Sequence, residues 1–367
     1  SGALFVCREK EVDPMSTERM QVAVIGCGGW GAAGHIGGFQ LLPEARLVAV
    51  CDSREAVARE TAERFGVPHV YTNYREMLQT ETLDVVSVAT PPLLHYSMAM
   101  DAVAAGKHVL CEKPLAMKAV EAREMLRKAS AAGVVHAIDH EFRFLPTNFK
   151  IKELVDQGYI GKLNTMNVAV AYSAGSFQKK AKLSRWQSQK SKGGGILLTT
   201  AYHYVDLMRY WFGEIAGVYA RLLTVGGRGN TDSDDTYAIV FELTSGGMVT
   251  MTGTSAAVLG KGNRLEVYGS EGTLISERWK LETPGRLLGG RKGDSSLSEL
   301  PLGIPDVPPS DRPQLRAFAA VARRLIKSIR QGTPMSPDFS DGVKSQEVID
   351  AIRQSAVENR WVTVDKS

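Results

Sequence analysis

The sequence predicts two packed units: a doubly wound parallel α/β domain, then a β-rich second half. Three observations predict it. Residues 20–140 alternate short, near-continuous apolar runs with helical stretches, and a glycine-led turn closes the first run. From about residue 160 the pattern changes to longer β-rich segments broken by glycines. Near-continuous apolar strands separated by helices imply a parallel sheet covered on both faces.

In chain order, "QVAVIGCGG" is the first strand and "ARLVAVCDS" the second. The helix "REAVARETAERFG" follows, with Ala56, Ala62 and Phe65 near helical spacing and Gly66 as its stop. "LDVVSVAT" is a strand, "LLHYSMAMDAVAAG" a helix and "HVLCEKP" the next strand. "AVEAREMLRKASAAG" and "VVHAID" complete the alternation. Ahead of it, "SGALFVCREKEVDP" lacks the basic segment, apolar stretch and cleavage site of a secretory signal. Residues 1–19 therefore read as a leader or cloning scar, with Met15 or Met20 as candidate starts.

Composition narrows the classes. The 367 residues suit about two domains, and 44% hydrophobic with 23% charged residues is ordinary for a soluble globular protein. A net charge of +4 is too weak to argue for nucleic acid. No apolar run reaches the roughly 20 residues that span a membrane. Cys7, Cys27, Cys51 and Cys111 have no paired spacing, so neither a disulfide framework nor a metal site is expected. The last three read as small buried residues at strand ends, and a reducing cytoplasm is the expected location.

"GCGGWG" places Gly26, Gly28 and Gly31 in the spacing G-x-G-x-x-G directly after the first strand, and Asp52 ends the second strand. That context is what a dinucleotide-binding turn requires. Gly26 allows the tight turn, Gly28 lets backbone amides approach a pyrophosphate, and Gly31 permits close helix packing. Asp52 would accept from the adenosine ribose hydroxyls, which favours NAD. Ser53 and Arg54 beside it keep NADP open, because a hydroxyl and a guanidinium can hold a 2′-phosphate. "ATPPLLH" and "CEKP" lie at the carboxyl ends of later strands, where ligands of open α/β sheets collect, so Thr90, Pro91 and His95 would line the cleft. Lys113, between an acid and a proline at such a strand end, is awkward as surface decoration.

With these residues in view, the chain resembles the Gfo/Idh/MocA oxidoreductases from about Met20 onward. "AVIGCGGWG", "VATPPLLH", "VLCEKPLA", "EFRFLP" and "GGGILLTTAYHYVD" carry the resemblance, together with the closing "PDFSDGVKSQEVIDAIRQSAVENRWV". It implies a dinucleotide-binding Rossmann domain over residues 20–142. A substrate-binding and oligomerisation domain over 143–367 would hold an open, largely antiparallel sheet with helices on one face. It also implies pairing through the sheet's exposed face, hence a homodimer or homotetramer. Gly29 and Trp30 in the turn, with Glu112, Lys113 and Arg143, complete the implied cofactor-binding set. The second half supports this by itself. "GKLNTMNVAVAYS", "GVYARLLTVGG", "DDTYAIVFELTSGGMVTMTGTSAA" and "RLEVYGSEGTLISE" are β-rich, and Gly246–Gly247 read as a hairpin turn. "RPQLRAFAAVARRLIKSIRQG" is an amphipathic helix with Leu315, Phe318, Val321 and Leu325 on one stripe. The Pro- and Gly-rich stretch from about Thr283 to Pro313 reads as a long loop.

By the resemblance, His203 in "GGGILLTTAYHYVD" is the catalytic histidine and Lys113 the general acid/base. A lysine with an ordinary pKa of about 10.4 is a poor base at neutral pH, and burial beside other cations would lower it. Many polyol dehydrogenases of the family carry an aspartate four residues before this histidine, where the present chain has Thr199. Thr199 would share a helix face with His203 and offer a hydroxyl to the imidazole or the substrate. Asp206, one turn on, either orients His203 or supports local structure.

Between Gln157 and Val205 there is no Asp or Glu, and Lys162, Lys179, Lys180, Lys182, Arg185, Lys190 and Lys192 accumulate. This is either a solvated loop or an attraction for an anionic sugar, on whose ring Trp186 could stack. The expected function is NAD(P)-dependent hydride transfer to or from a secondary alcohol of a sugar-type small molecule. No nucleic acid and no membrane are expected as partners. Redox-neutral glycoside cleavage by oxidation and elimination, and a non-catalytic nicotinamide-dependent regulator, are the alternatives.

Overall fold

A computed structural model of the protein describes residues 18–173, 186–226, 231–280, 283–303 and 305–364. Its first sheet contains β1 (Met20–Ile25), β2 (Ala45–Cys51), β3 (His69–Tyr71), β4 (Val85–Val88), β5 (His108–Cys111) and β6 (His136–Ile138). All neighbours run parallel in the order β3-β2-β1-β4-β5-β6. The chain winds outward from β1 to β3 and then returns to the other side of β1. The crevice at this reversal lies beyond the carboxyl ends of β1 and β4, where the functional turns fall. β3 was not expected: three residues at a sheet edge are too few to show a pattern. Its register comes from pairing with β2.

The second sheet contains β7 (Leu163–Ser173), β8 (Ile215–Leu223), β9 (Thr236–Leu243), β10 (Met248–Ala257), β11 (Gly262–Gly269), β12 (Gly272–Arg278), β13 (Arg286–Arg291), β14 (Ser298–Glu299) and β15 (Val362–Thr363). The order is β14-β13-β12-β11-β7-β10-β9-β8-β15, antiparallel except for β7 beside β10. β10 shows the alternation of a one-sided sheet. Val249 and Met251 are buried, while Met248, Thr250 and Thr252 are exposed. The Gly246–Gly247 hairpin forms as expected, with the Leu243 amide donating to the Gly247 carbonyl. The expected loop from Thr283 to Pro313 is corrected in part, because β13 and β14 lie within it. "RLLGG" has poor strand propensity, but Leu287 is fully buried and the segment pairs with β12 across six residues. Neighbouring strands decide here over intrinsic preference.

Helices join the two units. The Pro313–Gln331 helix presents its expected stripe not to the second sheet but to the first unit. Phe318 packs edge-on to Phe39 at 5.5 Å and tilts against His35 at 4.4 Å. The Phe339–Glu358 helix starts in a capping box at Asp338 and lies between both units. Its Asp350 accepts from the Ala119 amide at 2.8 Å, and its Ser355 hydroxyl accepts from the Ala220 amide of β8 at 3.0 Å. Among the described residues, no helix is long and apolar enough to cross a membrane.

A buried ion cluster locks this joint. Arg143 follows β6 and is only 2% exposed. It donates to Asp206 of the Tyr202–Phe212 helix at 2.8 and 2.5 Å and to Asp341 of the Phe339–Glu358 helix at 2.9 Å. Removing one member of a buried pair strands the other charge in low dielectric. Arg143→Met is expected to cost about 3–5 kcal/mol, read as a lower denaturant midpoint at unchanged slope. Burial alone would raise the Asp206 carboxyl, but Arg143 and His140 hold it far below the usual carboxylate range. A depressed folded value means that this stabilisation is complete above about 3.9, the unfolded value, and is lost progressively as pH falls below it.

Candidate active site

The glycine turn after β1 is built by close approach. Gly26 has φ +101°, and a Cβ there would sit 2.5 Å from the Ala89 carbonyl oxygen; at Gly31 it would sit 2.0 Å from the Gly26 carbonyl oxygen. Both positions exclude a side chain. Gly28 and Gly29 differ, since a Cβ at Gly29 would meet nothing within 4 Å and one at Gly28 only Arg54 at 4.0 Å. They leave an open, side-chain-free cradle of the shape a pyrophosphate needs. Trp30, expected to touch cofactor, donates its indole N–H to Asp139 at 3.2 Å. A π-helical turn, Gly31–Ile36, follows.

Asp52 sits at the end of β2, 9% exposed, with both oxygens engaged. Oδ1 accepts from the Arg54 amide and Nε, each at 3.0 Å, and Oδ2 from the Cys27 amide at 3.0 Å and Arg54 Nη2 at 3.1 Å. Burial pushes the carboxyl up, and the Arg54 bonds and the Cys27 amide more than offset this, leaving it below its ordinary value. All four lone-pair directions of the carboxylate are used. A ribose diol must therefore displace the Arg54 guanidinium, whose side chain is 63% exposed and free to swing. Ser53 is exposed beside it.

The "ATPP" and "CEKP" turns are tied together by His95. It is fully buried, with Nδ1 2.7 Å from the Pro114 carbonyl oxygen and Nε2 2.8 Å from that of Thr90. Its ring is thus occupied by protein, and it shapes the cleft instead of opening into it. Pro91 precedes this turn, and the Thr90 hydroxyl is buried without a partner. Beneath the turns, Glu112 lies 3.1 Å from His35, whose other nitrogen is 2.7 Å from the Ser87 hydroxyl. Burial pushes the His35 imidazolium down to about 4 and the Glu112 and Asp139 carboxyls up. The cluster favours neutral groups.

Lys113 reaches across from β5 to the second unit. Its Nζ donates to the Thr199 carbonyl at 2.9 Å and the Leu198 carbonyl at 3.4 Å. These carbonyls belong to a π-helical turn, Leu197–Ala201, that leads into the Tyr202–Phe212 helix. Such turns shift the hydrogen-bond ladder by one residue and recur at functional sites. The expected i, i+4 face shared by Thr199 and His203 is altered by this turn, and the Thr199 hydroxyl donates to the Gly195 carbonyl at 2.8 Å. Thr199 still lines a hollow with Gln187, Ser188, Thr231, Ser233 and Asp234.

His203 is 5% exposed and lies flat on Phe142, with centroids 3.7 Å apart and planes 10° apart. Burial, then Lys113 and His140, push its imidazolium well below the ordinary range, which favours the neutral ring. Asp206 does not orient it, because Arg143 occupies both carboxylate oxygens and His140 lies 2.7 Å from one of them. Arg143, expected among cofactor-binding residues, is buried in that cluster with its guanidinium engaged by Asp206 and Asp341. Trp186 is half-buried next to Gln187 and is not part of the hollow's lining. Lys179, Lys180, Lys182 and Arg185 lie outside the described residues. Sequence reasoning missed Glu141, Asp139 and His35 as members of the site. Glu141 opens "EFRFLP" and Asp139 lies two residues before it, and this pair of acids just after a strand was the available signal.

Residues 20–140 match the family described as "Oxidoreductase family, NAD-binding Rossmann fold", and residues 152–364 match its "C-terminal alpha/beta domain". The chain belongs to this Gfo/Idh/MocA family. It is 31% identical, over 94% of its length and 96% of the relative's, to an uncharacterised oxidoreductase of Synechocystis sp.. It is 27% identical to the myo-inositol 2-dehydrogenase of Thermotoga maritima, covering 95% of this chain and 99% of that one. The solved complex of levoglucosan dehydrogenase with NADH and levoglucosan superposes with a TM-score of 0.85 at 26% identity, covering 95% of this chain and all of that one. The chain is thus an NAD-binding oxidoreductase of the dehydrogenase type, and its side-chain-free glycine cradle fits the cofactor.

The Asp52–Arg54 fork makes cofactor choice testable. Arg54→Ala removes both the competitor for the ribose diol and the cation available to a 2′-phosphate. The ratio of NADP to NAD affinity is expected to fall at least about tenfold, roughly the value of one charge-assisted hydrogen bond, as read by tryptophan quenching titrations with each nucleotide.

Proposed function

We propose that this oxidoreductase removes hydride from the carbon bearing a secondary hydroxyl of a neutral sugar or sugar derivative, with Lys113 as the acceptor of the hydroxyl proton. NAD, when bound, supplies the hydride acceptor. The Gly26–Gly31 turn would hold its pyrophosphate and Asp52 its ribose. The observation that carries the reading is the seating of Lys113 on the Leu198 and Thr199 carbonyls. The two carbonyls hold two of the amine's N–H groups and fix its remaining position toward a substrate lodged beside Thr199, where, once that position has given up its proton, it would accept the hydroxyl proton. Neutral His203 would hold the same substrate oxygen without adding a charge.

Neutrality of the substrate is supported by the hollow beside Thr199. Among the described residues its lining has hydroxyls, an amide and the carboxylates of Asp234 and Asp235, with no Lys or Arg. Acceptors and hydroxyls suit a polyhydroxylated ring and repel an anion. The relatives named for levoglucosan and myo-inositol agree with such a substrate. Assembly as a homodimer or homotetramer through the helix-free face of the second sheet, carrying Met248, Thr250 and Thr252, completes the proposal.

The test is a spectrophotometric panel of neutral and anionic sugars with NAD⁺ and NADP⁺, using wild type and Lys113→Ala. Reduced nicotinamide should accumulate with a neutral sugar and fall by a factor of roughly 10²–10⁴ in the variant. The KM of that sugar should stay flat as salt rises, since screening acts only on a charged substrate. Sugar cleavage without net reduction would replace this reading with redox-neutral glycoside cleavage.

A further inference from the structure

One buried carboxyl takes no part in the proton transfer derived above. Glu141 opens the short helical turn Glu141–Phe144 after β6 and is 5% exposed. Its Oε2 is buried without a hydrogen-bond partner, and so is His203 Nδ1. The two atoms lie 3.8 Å apart. Leaving a buried polar atom unpaired costs about 1–3 kcal/mol, so two orphans separated by less than 1 Å beyond hydrogen-bond range have reason to close. Active-site hydrogen bonds are often longer before the reacting complex assembles. Two alternative partners for His203 are occupied elsewhere: the Thr199 hydroxyl donates to Gly195, and Asp206 binds Arg143 and lies against His140. Phe142, the residue after Glu141, stacks on the imidazole and fixes its plane. One short segment therefore supplies both the platform for the ring and an acid at its edge.

We propose that Glu141 is the positioning residue of His203. Its carboxyl donates to Nδ1 and holds the ring in the tautomer whose proton sits on Nε2. His203 then meets the substrate oxygen as a fixed N–H donor, leaving proton acceptance to Lys113. The groups facing the pair agree with this assignment. Burial, then Asp139 and Glu112, push the Glu141 carboxyl well above its ordinary range, with Lys113 opposing. Burial, Lys113, His140 and Arg278 push the His203 imidazolium down, with Asp206 opposing. A protonated carboxyl is a donor and a neutral imidazole an acceptor at one nitrogen, so donor and acceptor match. The catalytic consequence rests on the dehydrogenase reading; the tautomer does not.

The test uses the full chain labelled with ¹⁵N-histidine, with His203→Asn to assign the ring signals. Wild type should show His203 in the Nε2–H form with Nδ1 accepting a hydrogen bond, and Glu141→Leu should release Nδ1 and mix the tautomers. With the sugar identified by the panel, Glu141→Leu should lower kcat at least about tenfold, part of the roughly 10²–10⁴ an acid–base group contributes, with KM nearly unchanged. Glu141→Gln, whose amide can donate to Nδ1, should retain most of kcat. The wild-type carboxyl ceases to donate as pH rises through its raised pKa, so kcat should show an alkaline decline that Glu141→Gln lacks. Unaltered NAD binding in both variants separates these effects from misfolding. Unchanged His203 signals in Glu141→Leu would overturn the proposal, even if the sugar panel yields no substrate.

Discussion

The placement of the proposed catalytic groups depends on the buried contact between Arg143 and the carboxylates of Asp206 and Asp341. Arg143 comes from the end of the first sheet, Asp206 from the helix that carries His203, and Asp341 from the first turn of the Phe339–Glu358 helix. In a low-dielectric interior each charge is expensive to leave alone, so the three segments are held at one spacing. That spacing sets Phe142 under His203 and Glu141 at its edge. The guanidinium fork suits this task because it bonds two carboxylates in fixed directions while Tyr210 packs 4.5 Å from its carbon. Arg209 extends the cluster to Glu214, Ser345 and the Asp341 carbonyl.

A second constraint is charge neutrality around the crevice. Glu112, Asp139 and Glu141 converge below it, and burial and mutual repulsion drive all three carboxyls toward the protonated form. His35 and His203 are driven toward the neutral form by the same burial. Burial thus disfavours fixed charge among these groups, while Lys113 reaches across to the Leu198 and Thr199 carbonyl oxygens. The end of β2 is different: Asp52 and Arg54 form a charged ion pair, proposed to meet the adenosine ribose, whose two members suit different nucleotides.

Most of the first unit was legible in the sequence, because parallel strands buried on both faces read as apolar runs and glycines mark the turn that must be free of side chains. The short β3 and the strands β13 and β14 were not legible. Their local composition is neutral or unfavourable, and pairing with longer neighbours creates them. Lys113 and His203 were identified as a pair by motif, and the structure brings the Lys113 amine to the helix of His203. The roles of Arg143, His95 and Asp206 changed for one reason. Each is polar and near the crevice in sequence, but each meets its partners inside the protein. The hydroxyl of Thr199 turns back to the Gly195 carbonyl four residues earlier, the usual back-bond of a threonine in a helical turn.

By itself, the sequence determined the α/β alternation, the glycine cradle, the acid at the end of β2 and the chemistry available to Lys113 and His203. These depend on periodicity, on the absence of a Cβ and on side-chain type, all of which are local properties. Only the tertiary structure decided which polar groups face the crevice and which face each other. It set Lys113 on the carbonyls of a helix 85 and 86 residues away and Arg143 on Asp206, 63 residues away. It also set His203 against a carboxyl from β6's far end. Such pairings follow from the distances between packed elements, and no local pattern encodes a distance between segments that meet only when both sheets and the helices between them have formed.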